Sequence, residues 1–181
     1  MKGENGFTLA ELLVAMVVGL LVMTAAYATY MTQTRAYKTN EAVTALQQNL
    51  RSAMYHLERE LRMAGYNPTV SQTVNFGFTN IGANTVTFTT DSNGNGALDT
   101  TETIIYARNG TNNTLTRDAG AGAQPLAYDI TNIAFVYRQA DGVTEAGSGT
   151  QVRAVDITLT ASDGDHTRTM STRVRCRNMG L

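Results

Sequence analysis

The run "DSNGNGALDTTE", from Asp91 to Glu102, sets oxygen donors at a spacing that could hold a cation. Asp91, Asn93 and Asn95 alternate, so their side chains can converge on one centre. Gly96 permits a sharp turn, and Ala97 offers a backbone carbonyl. Asp99 can ligate directly or through water, and Glu102 can close the shell with both oxygens. Every fixed position of the calcium-loop pattern D-x-[DN]-x-[DN]-G-x5-E is filled. Three carboxylates outweigh a divalent charge, so the expected ion is Ca2+. Two neutral asparagine ligands place its affinity in the weak extracellular range, ~10⁻⁴–10⁻³ M. The flanking segments read as strands rather than helices, and an Asn/Gly-rich hairpin that binds nothing is the alternative. A second acid, Glu11, stands at the mouth of a long apolar run, with no further charge until Arg35. A carboxylate at the edge of lipid is costly unless it meets a cation.

Composition removes most other chemistry. The chain has 181 residues, a formal net charge of -1 and 16% charged residues, so no basic surface for wrapping nucleic acid is evident. With one cysteine, Cys176, there is no intrachain disulfide, no CxxC pair and no zinc spacing. His56 and His166 are far apart in sequence. Asp163, Asp165 and His166 cluster where turn chemistry accounts for the aspartates. No nucleophile elbow, phosphate loop or paired-carboxylate signature is present, so the chain is not expected to be an enzyme. Arg173, Arg175 and Arg177 share one strand face by period two and read as a solvated sheet face. A patch for DNA or for an acidic partner subunit is the weaker reading, because no aromatics are interleaved.

The elements that position these groups follow from periodicity. Leu12 to Thr34 is uncharged and long enough for a helix to span a bilayer, about 20 residues. Tyr27 and Tyr30 fall where an aromatic belt would sit. Lys2 favours a cytoplasmic amino terminus, weakly, since Arg35 and Lys38 lie on the other side. A cleaved secretory signal is an alternative, with "AYA" at 26–28 as a small-residue cut site. Beyond it, Val43, Leu46, Leu50, Met54, Leu57 and Leu61 step by three or four, an amphipathic stripe suited to packing on a sheet. Glu58 and Arg62 are spaced for a helical ion pair. Gly65 and Pro68 supply a stop. One helix over 7–64 is expected, about 85 Å long.

After Pro68 the pattern alternates. "NTVTFTT", "TIIYAR", "TLTR", "NIAFVYRQ", "VRAVDITLTA" and "TRTMSTRVRCRN" read as about six mostly antiparallel strands. Turns are signalled by Asn109-Gly110, Asp141-Gly142 and "SDGD". Val86 and Phe88 share a face, as do Val155, Ile157 and Leu159. Cys176 is in phase with Val174 and is expected to be buried. A long helix over an antiparallel sheet is an α+β architecture.

The stretch "GFTLAELLVA" resembles the prepilin signature: a short polar leader ending in glycine, then phenylalanine, a glutamate four residues on, and an apolar run. "LERELRMAGYNP" is similar to the end of the long helix in W-type minor pilins, and the J-type pseudopilins of type II secretion share the same layout. The resemblance implies a type IV pilin-like fold. It divides the chain into a leader (1–6), an assembly half of the helix (7–34), an amphipathic half (35–64) and a β-rich head (65–181). It also implies that a prepilin peptidase cuts between Gly6 and Phe7 and methylates the new Phe7 amine. That amine supplies the cation for Glu11, four residues away in one helix or, as the family is understood, on a neighbouring subunit. The expected function is a minor pilin, inserted in the inner membrane with its head in the periplasm and then assembled with other pilins into a fibre at the cell surface. A J-type pseudopilin is the runner-up. A secreted calcium-binding module cut after Ala28 is the remaining alternative. Glu11 argues against the extreme-tip position, which often lacks it.

Overall fold

The computed structural model describes residues 6–70 and 74–180, so leader positions 1–5 lie outside the described residues. The chain divides into two units, Met1–Ala42 and Val43–Leu181. Helix α1, Leu9–Met63, runs through that division.

In the first unit the helix is long and apolar enough to cross a membrane. Leu12, Leu13, Val17, Leu20 and Leu21 are all exposed, as a surface meant for lipid or other helices must be. The threonines that dilute the run are satisfied within the helix. The hydroxyls of Thr24, Thr29, Thr32 and Thr34 donate to the carbonyls of Leu20, Ala25, Ala28 and Tyr30 at 2.8, 2.9, 3.0 and 2.9 Å. Each thus hides its polar group without a partner from outside the helix.

In the second unit the helix buries Leu46, Leu50, Ala53, Met54, Leu57 and Leu61, the expected stripe with Val43 only half-buried. The helix ends where the sequence places the stop. Gly65 adopts φ +77°, donates its N–H to the Thr89 carbonyl at 3.0 Å, and lies so near Met179 that a Cβ would come within 2.7 Å of Sδ. A left-handed glycine is what both constraints require.

The expected six strands are present, and two more join them: β1 (Phe78–Ile81), β2 (Thr85–Thr89), β3 (Thr103–Asn109), β4 (Thr114–Asp118), β5 (Gln124–Ala127), β6 (Ile130–Arg138), β7 (Ala154–Ser162) and β8 (Thr167–Arg175). They form two antiparallel sheets, ordered β1-β2-β3-β4-β5 and β6-β7-β8, where the sequence suggested one. The unanticipated β1 and β5 are four-residue strands at the two edges of the larger sheet. Strands so short show little alternation, and Pro125 is tolerated in β5 because an edge strand need not donate on both sides. The split follows Asp129, at φ +58°, which redirects the chain between β5 and β6. Both sheets and the helical stripe contribute to one core that includes Phe88, Tyr106, Leu115, Ile133, Ile157 and Leu159. The hairpin expected at Asn109-Gly110 forms between β3 and β4, with Asn109 opposite Thr114. Cys176 is buried as expected, and its burial pushes the thiol up to about 12.

Candidate functional site

The first four N–H groups of a helix lack intrahelical partners. At the start of α1 they meet Thr8 and Glu11. The Thr8 N–H and hydroxyl donate to Glu11 Oε2 at 2.9 and 2.8 Å, and the Glu11 N–H donates back to Thr8 Oγ1 at 3.3 Å. This reciprocal pair is a capping box. It explains why the helix begins at Leu9 rather than Phe7. Thr8 carries a role the sequence reading missed, although T-x-x-E ahead of an apolar run is its recognised signal. Phe7, Ala10, Glu11, Val14, Ala15 and Val18 line one helix face. Phe7 is 86% exposed. Its nitrogen is an amide in the intact chain and becomes a cation only if the Gly6–Phe7 bond is cut.

The loop from Asp91 to Glu102 is closed by its own amides. Asp91 and Glu102 are fully buried. Asp91 Oδ1 accepts from the N–H groups of Gly94 and Asn95 at 2.7 and 3.2 Å, and Oδ2 accepts from the N–H of Gly96 and the Thr69 hydroxyl at 3.0 and 3.3 Å. Glu102 Oε1 accepts from the N–H groups of Ser92 and Asn93 at 2.8 and 3.3 Å and from the Ser92 hydroxyl at 3.1 Å. Its Oε2 accepts from the Asp99 N–H at 3.0 Å. Asp99 Oδ2 takes the side-chain amides of Asn93 and Asn95 at 2.6 and 3.0 Å. The asparagine oxygens cap the next turn: Asn93 Oδ1 takes the Asn95 N–H at 2.9 Å and Asn95 Oδ1 takes the Ala97 N–H at 2.8 Å. Gly96 makes the expected turn, at φ +71°. The structure thus folds the predicted ligands into one loop, with the side chains of Asn93 and Asn95 meeting that of Asp99. Among the described residues no group of three or more His, Cys, Asp or Glu is placed to hold a metal. The donors facing these carboxylates are N–H and O–H groups of the loop itself, together with the Thr69 hydroxyl.

Two families match the chain. Residues 1–27 match the family described as prokaryotic N-terminal methylation motif. Residues 39–176 match the one described as prepilin peptidase-dependent protein B, which covers most of the chain. The chain belongs to the prepilin peptidase-dependent protein B family. It is a type IV prepilin-like protein, and the matched families are pilin-like structural proteins rather than enzymes. Searches of curated proteins and of solved structures returned no match.

In this member of the family, the amphipathic part of the helix is fastened to the larger sheet by a polar clamp that sequence spacing did not show. The Tyr106 hydroxyl donates to Glu60 Oε2 at 2.7 Å. Arg117 donates through Nε to both Glu60 oxygens at 3.0 and 2.9 Å, and its Nη2 lies 2.9 Å from Oε1. Burial, and then the Glu60 carboxylate, push the Tyr106 hydroxyl far above its ordinary value, and the same carboxylate raises Arg117. Tyr106 and Arg117 follow Glu60 by 46 and 57 positions, so no local signal links them. The expected Glu58–Arg62 pair does not form. On β8, Arg173 is paired: with Arg138 it flanks Asp156, and these hydrogen bonds, those of Arg173 first, hold the Asp156 carboxyl below its ordinary range. The expected turn at Asp163 forms, with its Oδ1 accepting the N–H groups of Asp165 and His166 at 3.1 and 2.7 Å.

Proposed function

We propose that the chain is a minor pilin of a type IV pilus. On this reading it inserts in the inner membrane with its β-rich head in the periplasm and is cut by a prepilin peptidase between Gly6 and Phe7. It is methylated at Phe7 and drawn sideways into a fibre by its apolar helix. The observation that carries the reading is the match of residues 1–27 to a methylation motif, on a segment whose helix is exposed all round from Leu9 to Tyr30, with Phe7 and Glu11 at its start. Glu11 can serve twice. In its own chain it caps the helix through Thr8. Its charge can also meet the Phe7 ammonium of a neighbouring subunit once both are in lipid, where an unpaired ion is disfavoured. That contact rewards lateral assembly and sets axial register. Repetition of a contact between unlike surfaces builds an open helical array. The head makes the remaining contacts with other pilins.

The mass of the native amino terminus tests the proposal. The expected terminus is N-methylated Phe7, in protein recovered from sheared surface fibres. A chain that still begins at Met1 in peptidase-competent cells, or that begins at Thr29, overturns it. The second outcome makes the protein a secreted module with a cleaved signal.

A further inference from the structure

At one end of the three-stranded sheet lies a cavity of about 680 Å³ walled by Arg153, Arg173, Arg175 and Arg177. Its position follows from the β7–β8 register. Asp156 lies opposite Arg173, but one step further along the strands the residue opposite Arg175 is Ala154. The sheet therefore neutralises Arg173 and leaves Arg175, at the cavity, facing an alanine. Arg175 and Arg177 are exposed and, among the described residues, form no ion pair or side-chain hydrogen bond. The Arg153 guanidinium donates through Nη1 to the carbonyls of Thr150 and Val152, at 2.7 and 3.0 Å, and packs so close to Gly180 that a Cβ there would come 2.3 Å from Nε. The one acid on the wall, Asp141, is bound into its own turn by the N–H groups of Val143 and Thr144, both at 2.9 Å, and by the Thr144 hydroxyl. The two guanidinium groups of Arg175 and Arg177 thus stand beside the cavity with charge to offer an anion.

We infer that this cavity is a docking site for an acidic segment of a partner polypeptide, whose Asp or Glu carboxylates pair with Arg175 and Arg177. Guanidinium forks match planar carboxylates with two parallel bonds each. Ala154, Cys176 and Met179 add an apolar part to the wall, which suits the methylenes of a glutamate better than a bare phosphate. Nucleic acid fits poorly. No aromatic side chain lines the cavity to stack a base, and no lysine extends it into a track. The site does not depend on the fibre role, because it rests on residues of the head alone.

The test uses the full chain in non-ionic detergent micelles and fluorescein-labelled hexaglutamate, followed by anisotropy. Saturable binding is expected, weakened at least about tenfold in Arg175→Ala/Arg177→Ala. Arg175→Lys/Arg177→Lys should bind with intermediate strength, because charge is kept while the fork is lost. Arg168→Ala, at the far end of β8, should bind like the parent. Circular dichroism melts confirm that each variant is folded. Absent or non-saturable binding, or equal binding by the double alanine variant, overturns the inference. So does displacement by an equal concentration of inorganic phosphate, which would make the cavity an unselective anion site. Binding of a single-stranded oligonucleotide in place of hexaglutamate also overturns it and reassigns the surface to nucleic acid.

Discussion

Replacing Glu60 with alanine removes the single acceptor on which the buried Tyr106 hydroxyl and the Arg117 guanidinium converge. The cost can be built from the surroundings. Hydrogen bonds to a charged group contribute about 1.5–3 kcal/mol each, and the penalty is largest when the orphaned donor cannot reach water. The Tyr106 ring is fully buried, so its hydroxyl has nowhere to turn. Arg117 is different: 32% of its side chain is exposed, and it can rotate into solvent, so its share lies at the low end. The two losses together amount to about 3 kcal/mol, with about half of that reproduced by Tyr106→Phe. For a unit of this size about 1 kcal/mol corresponds to roughly 3 °C, so Glu60→Ala should melt roughly 9 °C low. The assay is thermal unfolding of the full chain in detergent micelles, followed in the near-ultraviolet tyrosine signal. That signal reports the packed head rather than helix content. Because both substitutions break the same bond, the double variant Glu60→Ala/Tyr106→Phe should melt close to Glu60→Ala alone, a coupling of about 1.5 kcal/mol. Strict additivity, or a Glu60→Ala loss below about 1 kcal/mol, would refute the clamp as a fastening between helix and sheet.

Three further outcomes follow from the same geometry. Glu11→Gln keeps an acceptor for Thr8 while removing the charge, whereas Thr8→Ala keeps the charge and weakens the helix start by about 1 kcal/mol. On the proposed pairing with Phe7, Glu11→Gln inserts normally but is depleted from sheared fibres and Thr8→Ala is retained; the opposite pattern confines Glu11 to its own cap. Arg173 and Arg138 hold the folded Asp156 carboxyl below its unfolded value, so the stability they confer is complete above that unfolded value and is lost as pH falls through the folded one. Melting of the parent should therefore drop more steeply than that of Asp156→Asn on acidification below about pH 4, and parallel profiles would show that the pair is merely solvated. For residues 91–102 we propose that the loop takes Ca2+: calorimetry on the full chain should show a saturable heat and a melting shift, both lost in Glu102→Gln, and the absence of either overturns the proposal.

What the sequence made legible depended on how far apart the interacting residues lie. The helical stripe, the Gly65 stop, six strands and the Asn109-Gly110 hairpin are written in spacings of one turn or one pleat, and all are found. The short edges β1 and β5 offered too few residues for alternation to register. The division into two sheets was not visible, because it depends on where β6 goes after Asp129 rather than on the pattern of β6 itself. The Glu60 clamp was out of reach for the same reason. Its members are brought together by the core, not by any local pattern.

The two acidic motifs show a subtler limit. At Glu11 and at Asp91–Glu102 the sequence reading looked outside the chain for a cation, an ammonium in one case and calcium in the other. In both places the folded chain supplies N–H groups first: Thr8 for Glu11, and Gly94, Gly96, Ser92 and Asp99 for the loop. This is the same physics. A carboxylate lone pair is filled by a backbone dipole or by a cation, and the residue spacing that curls a loop around an ion also curls its amides toward the acid. The pattern therefore specifies convergence on an oxygen, and solvent access decides what converges. Glu11 is exposed on the helix face it shares with Phe7, so a second partner can reach it without breaking the cap. Asp91 and Glu102 are buried, and each of their oxygens accepts at least one hydrogen bond from the loop. That difference in access separates an acid open to a further partner from acids enclosed by their own loop.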